Sequence, residues 1–199
     1  MFEVLLCSNN PGKVAEVQTI LGDSVRVLSL KERGIDLNPV EDGETIEENA
    51  LKKAREGHVV SKMPTIADDT GLFIDAFGGE PGRHVRRWPG HTATDEELVD
   101  YTLERMKDMP EGERTATFRT AVAYVSDTEG FVVTGEVKGR ITDCRTAAYR
   151  EGLPFDTLFF VEEVGKTFAD MGEQKHIVSH RARALHALHA AFMERSLTK

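Results

Sequence analysis

Three short stretches of the sequence carry charged and polar residues that a protein core would not need. The first, Ser8-Asn9-Asn10-Pro11-Gly12-Lys13, follows an apolar run and leads into a helical pattern. Backbone N–H groups at a helix start, with a lysine in the first turn, make a seat for phosphate. It is not a Walker A loop, because the Gly-x-x-x-x-Gly-Lys-Ser/Thr spacing is absent, and an ordinary capped turn with a solvated lysine would read the same way. The second stretch is Ala67-Asp68-Asp69-Thr70-Gly71. Adjacent carboxylates repel, so a cation or a lysine is expected beside them, unless one Asp merely caps the next element. The third is Lys175-His176-Ile177-Val178-Ser179-His180-Arg181. If Ser179 caps the last helix, His180 and Arg181 stand in its first turn, where the macrodipole disfavours cations and an anion would reverse the penalty. Glu41, Glu44, Glu47 and Glu48 add carboxylates, and Asn49 and Lys53 project together at i, i+4. Basic anion seats and a carboxylate cluster are the minimum kit for hydrolysing a Mg²⁺-bound polyphosphate: cations hold phosphates, carboxylates hold the metal, and one activates water. No Ser or Cys nucleophile stands out.

These residues need elements to position them. Phe2 to Cys7 reads as a buried strand, and the next segment as a helix capped by Asn10, with Pro11 at its first position and Val14, Val17 and Leu21 as its buried stripe. Thr45-Ile46-Glu47-Glu48 fits a capping box opening a helix to about Ser61, with Ile46, Ala50 and Ala54 on one face. Thr65-Ile66-Ala67 is a strand signal ending in the Asp pair. Thr94-Asp95-Glu96-Glu97 opens another helix, burying Val99, Leu103 and Met106. Thr115 to Val125 and Gly130 to Val137 form a hairpin around Asp127-Thr128-Glu129-Gly130, and a last helix from Ser179 buries Leu185, Leu188 and Phe192. Early alternation and a later hairpin predict an α/β fold on a mixed sheet.

The 199 residues are 40% hydrophobic and 30% charged, which suits one globular domain over residues 1–199 and excludes disordered and fibrous classes. No apolar run approaches the roughly 20 residues that span a bilayer, and no signal-peptide pattern follows Met1, so a soluble cytoplasmic protein without membrane contact is expected. Cys7 and Cys144 lack metal-ligand spacing and suit a reducing compartment. Trp88 reads as a packing residue, and the remaining histidines form no ligand pattern. A net charge of −9 argues against a nucleic-acid-coating protein and leaves room for a local cationic pocket.

The three stretches, together with Glu41 to Lys53 and Gly78-Gly79-Glu80-Pro81-Gly82, occur in the order found in the inosine triphosphate pyrophosphatase family, which the chain resembles from residue 3 to about 190. The resemblance implies a long mixed twisted sheet flanked by helices, two lobes with a central substrate groove, and a homodimer. It further implies Mg²⁺-dependent hydrolysis of non-canonical purine nucleoside triphosphates (ITP, dITP, XTP) to the monophosphate and pyrophosphate. It matches Lys13, Lys53 and Lys175 to phosphate-binding lysines, Glu41 and Asp69 to metal ligands, and Asp69 to the general base. Ser8, Asn10, Thr70, His180 and Arg181 match positions that touch the substrate, and Leu153, Phe155 and Asp156 match the base pocket. Two stretches depart from the family pattern. Gly152-Leu153-Pro154-Phe155-Asp156-Thr157 stands where the family has Gly-Phe-Gly-aromatic-Asp-Pro, and His84-Val85-Arg86-Arg87 stands for Tyr-Ser-Ala-Arg. The phosphate half is kept and the base half altered. Phe155 or Trp88 is expected to supply a substitute ring, with 6-oxopurine preference kept and discrimination weaker than the family norm; the alternatives are a pyrophosphatase of an atypical nucleotide and a nucleotide sensor without turnover.

Overall fold

The computed structural model describes residues 2–8, 10–149 and 151–195. Its strands are β1 (Phe2–Leu6), β2 (Val25–Ser29), β3 (Thr65–Ile74), β4 (Pro81–Gly82), β5 (Thr115–Val125), β6 (Gly130–Ile141), β7 (Phe159–Val161) and β8 (Lys166–Thr167). Its helices are α1 (Pro11–Leu21), α2 (Ile46–Ser61), α3 (Asp95–Met106), α4 (Lys175–Val178) and α5 (His180–Glu194). The strands pair in the order β2-β1-β3-β5-β6-β7-β8, with β4 also on β3. β1 runs parallel to β2 and β3, whereas β4, β7 and β8 pair antiparallel, so the sheet is mixed as the pattern predicts.

Local chemistry sets the helix starts. Asn10 Oδ1 accepts from the N–H groups of Gly12 (2.9 Å) and Lys13 (3.4 Å), which caps α1. Thr45 Oγ1 accepts from Glu48 N at 3.1 Å, but the return bond of a capping box is not made: the Glu48 carboxylate accepts from Glu44 N at 2.7 Å instead. Thr94 and Glu97 do form the full box at α3. The largest departure from expectation is β3. It continues through the Asp pair to Ile74, so Asp68 and Asp69 lie inside a strand and not in a loop after it. β6 likewise continues past Val137 to Ile141.

The chain divides into two compact units, one made of Met1–Thr70, Thr120–Gly135 and His180–Lys199, the other of Gly71–Arg119 and Glu136–Ser179. In the first, the pleat sends alternate residues to opposite faces. Val4, Leu6, Ile66, Val122 and Tyr124 pack on Val17 and Leu21 of α1 and on Leu185, Leu188 and Phe192 of α5. Leu5, Cys7, Ala67, Ala121 and Ala123 pack on Ile46, Ala50 and Ala54 of α2. Gly135 of β6 lies directly under α5, and a Cβ there would overlap the His180 carbonyl and the Ala184 amide. The second unit closes around Phe118, Phe159 and Phe168, with Phe159 and Phe168 stacked at 5.0 Å.

Candidate active site

The pleat of β3 divides the acidic pair. Ile66 and Ala67 already face opposite layers, so Asp68 follows Ile66 toward α1 and α5, and Asp69 follows Ala67 toward α2. Lys13, in the first turn of α1, donates to Asp68 Oδ1 at 3.0 Å and lies 2.9 Å from Oδ2. Arg181, in the first turn of α5, reaches Asp68 Oδ2 through Nε at 3.3 Å and Glu16 of α1 through Nη1. On the other face, Lys53 Nζ donates to Asp69 Oδ1 at 3.1 Å and to Glu41 Oε1 at 2.7 Å. Asn49 Nδ2 donates to Asp69 Oδ2 at 3.0 Å, while its Oδ1 accepts from Gly43 N at 2.8 Å. The i, i+4 spacing of Asn49 and Lys53 on α2 therefore brings one donor to each oxygen of Asp69.

The two carboxyls are tuned in opposite directions. Burial pushes Asp68 up, but the charges of Lys13, Arg181 and Lys53 outweigh it and hold the group well below the usual carboxylate range. Asp69 is raised by burial and by the Glu41 charge, which exceed the opposing pull of Lys53 and Asn49. Burial also lowers Lys13, with Arg181 and Lys53 adding repulsion that Asp68 only partly restores. A lysine that shares its carboxylate with a guanidinium has room for another anion. Lys53 is disfavoured by burial yet raised overall by Asp69, Asp68 and Glu41, so it stays an ammonium. Burial pushes Glu41 up and Lys53 more than offsets this, leaving it an anion below its ordinary range.

The remaining residues fall as follows. Ser8 Oγ accepts from Asn10 N at 3.2 Å, and the Thr70 hydroxyl pairs with Thr120 at 2.9 Å. His180 and Arg181 do open α5, with Ser179 extended before them, but the anions that offset the dipole penalty on Arg181 are Glu16 and Asp68 of the protein itself. Lys175 belongs to the second unit, where its fully buried ammonium donates to Asp156 Oδ2 at 2.6 Å. Its assignment to the phosphates rests on resemblance alone. Phe155 is 3% exposed and edge-on to Phe118, and Trp88 packs with Phe77 and Tyr101 beneath Arg105. Both rings pack against aromatic neighbours within the second unit. Sequence reasoning gave Glu16 no role, although it follows the Ser8 to Lys13 motif, and missed Thr120. A charged residue next to the apolar stripe of α1, at Glu16, was the available signal; Thr120, inside a β-pattern, carried none.

Glu41 and Asp69 present oxygen donors of the kind Mg²⁺ prefers. Among the described residues no group of three or more His, Cys, Asp or Glu could hold a metal. Two hard oxygen donors, Glu41 and Asp69, meet at one ammonium, and Mg²⁺ commonly takes one or two carboxylates and completes its shell with phosphate and water. Lys13, Lys53 and Arg181 face Glu16, Glu41, Asp68 and Asp69, so carboxylates outnumber these cations. A polyphosphate fits such a cluster with a divalent cation and not by the lysines alone. The donor set fits Mg²⁺ held by these two carboxylates with the rest of its shell supplied from outside the protein.

The family model described as Ham1 family matches residues 4–191. The chain is 40% identical over 197 residues to the dITP/XTP pyrophosphatase of Clostridium perfringens, covering 94% of this chain and 96% of that protein. It is 38% identical over 190 residues to that of Photorhabdus laumondii, covering 93% and 95%. The solved structure of a HAM1 protein from Coxiella burnetii superposes with a TM-score of 0.84 at 30% identity, covering 98% of this chain and 100% of that one.

Proposed function

The chain belongs to the Ham1 family, and from that premise we propose that it hydrolyses dITP, ITP and XTP to the nucleoside monophosphate and pyrophosphate. One observation carries the chemical reading: both oxygens of buried Asp69 are fixed, one by the Lys53 ammonium that also binds Glu41 and the other by Asn49, with a separate carboxylate-bound cation pair behind it.

Asp69 is the general base. Lys53 and Asn49 fix its two oxygens, which orients the carboxylate toward a water attacking the α-phosphorus. Asp68 cannot take that role near neutral pH, since its own pKa lies far below, and it serves as the counter-ion that holds Lys13 and Arg181 in place. Lys13, Arg181 and Lys53 stabilise the charge that grows on the departing pyrophosphate. Ser8, Asn10, Thr70 and His180 contact the substrate. Glu41 and Asp69 hold Mg²⁺, which when bound screens the polyphosphate and polarises its oxygens. The segment Leu153 to Asp156 reads the base, anchored through the Lys175–Asp156 pair. A homodimeric assembly and a cytoplasmic setting complete the proposal. Both cysteines are free, as a reducing compartment allows, and no helix among the described residues is long and apolar enough to cross a membrane.

The test is pyrophosphate release from a panel of nucleoside triphosphates with Mg²⁺. Pyrophosphate and monophosphate in equal amounts from ITP, dITP and XTP are expected. Orthophosphate release, or no turnover of any member, overturns the reading.

A further inference from the structure

The two stretches that depart from the family pattern meet at one carboxylate. Asp95 is the first residue of α3, yet that helix start is already capped by Thr94 and Glu97, and Asp95 turns both oxygens to other segments. Oδ1 accepts from Arg86 Nη1 at 2.6 Å, and the same nitrogen donates to the Ala93 carbonyl at 3.2 Å. Oδ2 accepts from the Tyr149 hydroxyl at 2.9 Å and from the Gly152 N–H at 2.7 Å. Gly152 has φ 79°, a turn that favours glycine, and the residue after it is Leu153. Beside these bonds lies a cavity of about 420 Å³ lined by Asp95, Val99, Thr146, Tyr149 and Thr157. Space there gives the loop somewhere to move when the bonds are cut.

We propose that Asp95 is a positioning residue for base recognition: through Gly152 and Tyr149 it sets where Leu153 and the backbone after it are presented, and through Arg86 it couples that segment to His84–Arg87. The inference rests on the reading of Leu153 to Asp156 as the base-reading segment. Its physical basis is conformational freedom. A glycine-hinged loop samples many states, and a charged acceptor with three donors selects one of them. Discrimination of a 6-oxo group from an amino group depends on a donor held in place, because a loosened donor accommodates either. Asp95 supports this as an anion, since burial raises it but Arg86, the Gly152 N–H and the Tyr149 hydroxyl bring it below the usual carboxylate range.

The experiment compares Tyr149→Phe, Asp95→Asn and Leu153→Ala with the parent by steady-state kcat/KM for ITP and ATP, with thermal unfolding measured alongside. Tyr149 is 59% exposed, so loss of its hydroxyl leaves the fold intact and keeps the test valid if Asp95→Asn unfolds. The ITP-to-ATP ratio should fall about three- to tenfold in Tyr149→Phe, the worth of one hydrogen bond, and further in Asp95→Asn, with kcat for ITP held. A merely structural role would lower stability and leave the ratio unchanged. An unchanged ratio in both, with Leu153→Ala altering it, overturns the inference and leaves the base reading standing. An unchanged ratio in all three variants overturns the base reading and the inference with it.

Discussion

Asp68 and Asp69 are consecutive in β3 and send their carboxylates to opposite faces of the strand, Asp68 to Lys13 and Arg181, Asp69 to Lys53 and Asn49. Two like charges one residue apart thereby avoid each other, and each acquires its own environment. One is held as a counter-ion, and the other is the base of the proposed reaction.

That division predicts different consequences for two isosteric changes. Asp69→Asn removes the proton acceptor and should lower kcat at least about 10²-fold, the low end for a general base, while the unfolding midpoint stays close to the parent's. Pyrophosphate release and a thermal melt on the same preparation check both halves. Near-parental turnover would take the base role away from Asp69.

Asp68→Asn should act on stability first. Removing one partner of a buried ion pair leaves Lys13 and Arg181 undercompensated and costs about 3–5 kcal/mol. The pH dependence has a definite sign. Asp68 titrates far lower in the folded chain than the roughly 3.9 of an unfolded Asp, so its contribution is fully present above that value and fades as pH falls toward the folded pKa. Urea unfolding of parent and variant should show the widest gap at neutral pH and a narrowing one below about pH 4. A gap independent of pH would contradict the assignment.

Metal dependence should separate activity from stability. Because no group of three or more carboxylate, His or Cys side chains that could hold a metal exists among the described residues, chelation should abolish pyrophosphate release without shifting the melting temperature. Turnover should return on adding Mg²⁺. A large drop in melting temperature on chelation would instead reveal a structural metal.

Much of this arrangement was legible in residue spacing, and the reasons for the rest are specific. Caps and stripes placed α1, α2, α3 and α5 because those signals are local: Asn10, Thr45 and Thr94 each bond amides within three residues. That a cation would stand beside the acidic pair followed from charge, but which lysine serves which carboxylate is set by the pleat of β3. The continuation of β3 past Asp69 was hidden, because two carboxylates and a glycine read as a turn and only their partners make a strand there tolerable. Two lobes were implied by resemblance alone, and their boundaries were hidden, because three fall within β3, β5 and β6 and the fourth between α4 and α5, where no linker composition marks them. Asp95 was visible only as a member of a capping sequence, since Arg86 and Gly152 reach it from segments distant in the chain.

Gly135 offers a test of how Arg181 is held. Its residue type is dictated by close approach and not by dihedral angle: α5 lies so near β6 that a methyl group at position 135 would overlap the His180 carbonyl and the Ala184 amide, both backbone atoms of the turn that carries Arg181. Backbone cannot rotate away as a side chain can, so Gly135→Ala must displace the start of α5. Overpacking of this kind costs about 1–3 kcal/mol. The displacement also draws the guanidinium from Glu16 and Asp68, and with it the counter-ion balance that leaves Lys13 open to phosphate. Gly135→Ala should therefore lower the melting temperature and raise KM for ITP together, whereas Gly130→Ala, at a β6 position whose Cβ would meet its nearest neighbour at 3.5 Å, should leave KM unchanged. Equal effects of the two substitutions on KM would show that α5 is not what orients Arg181.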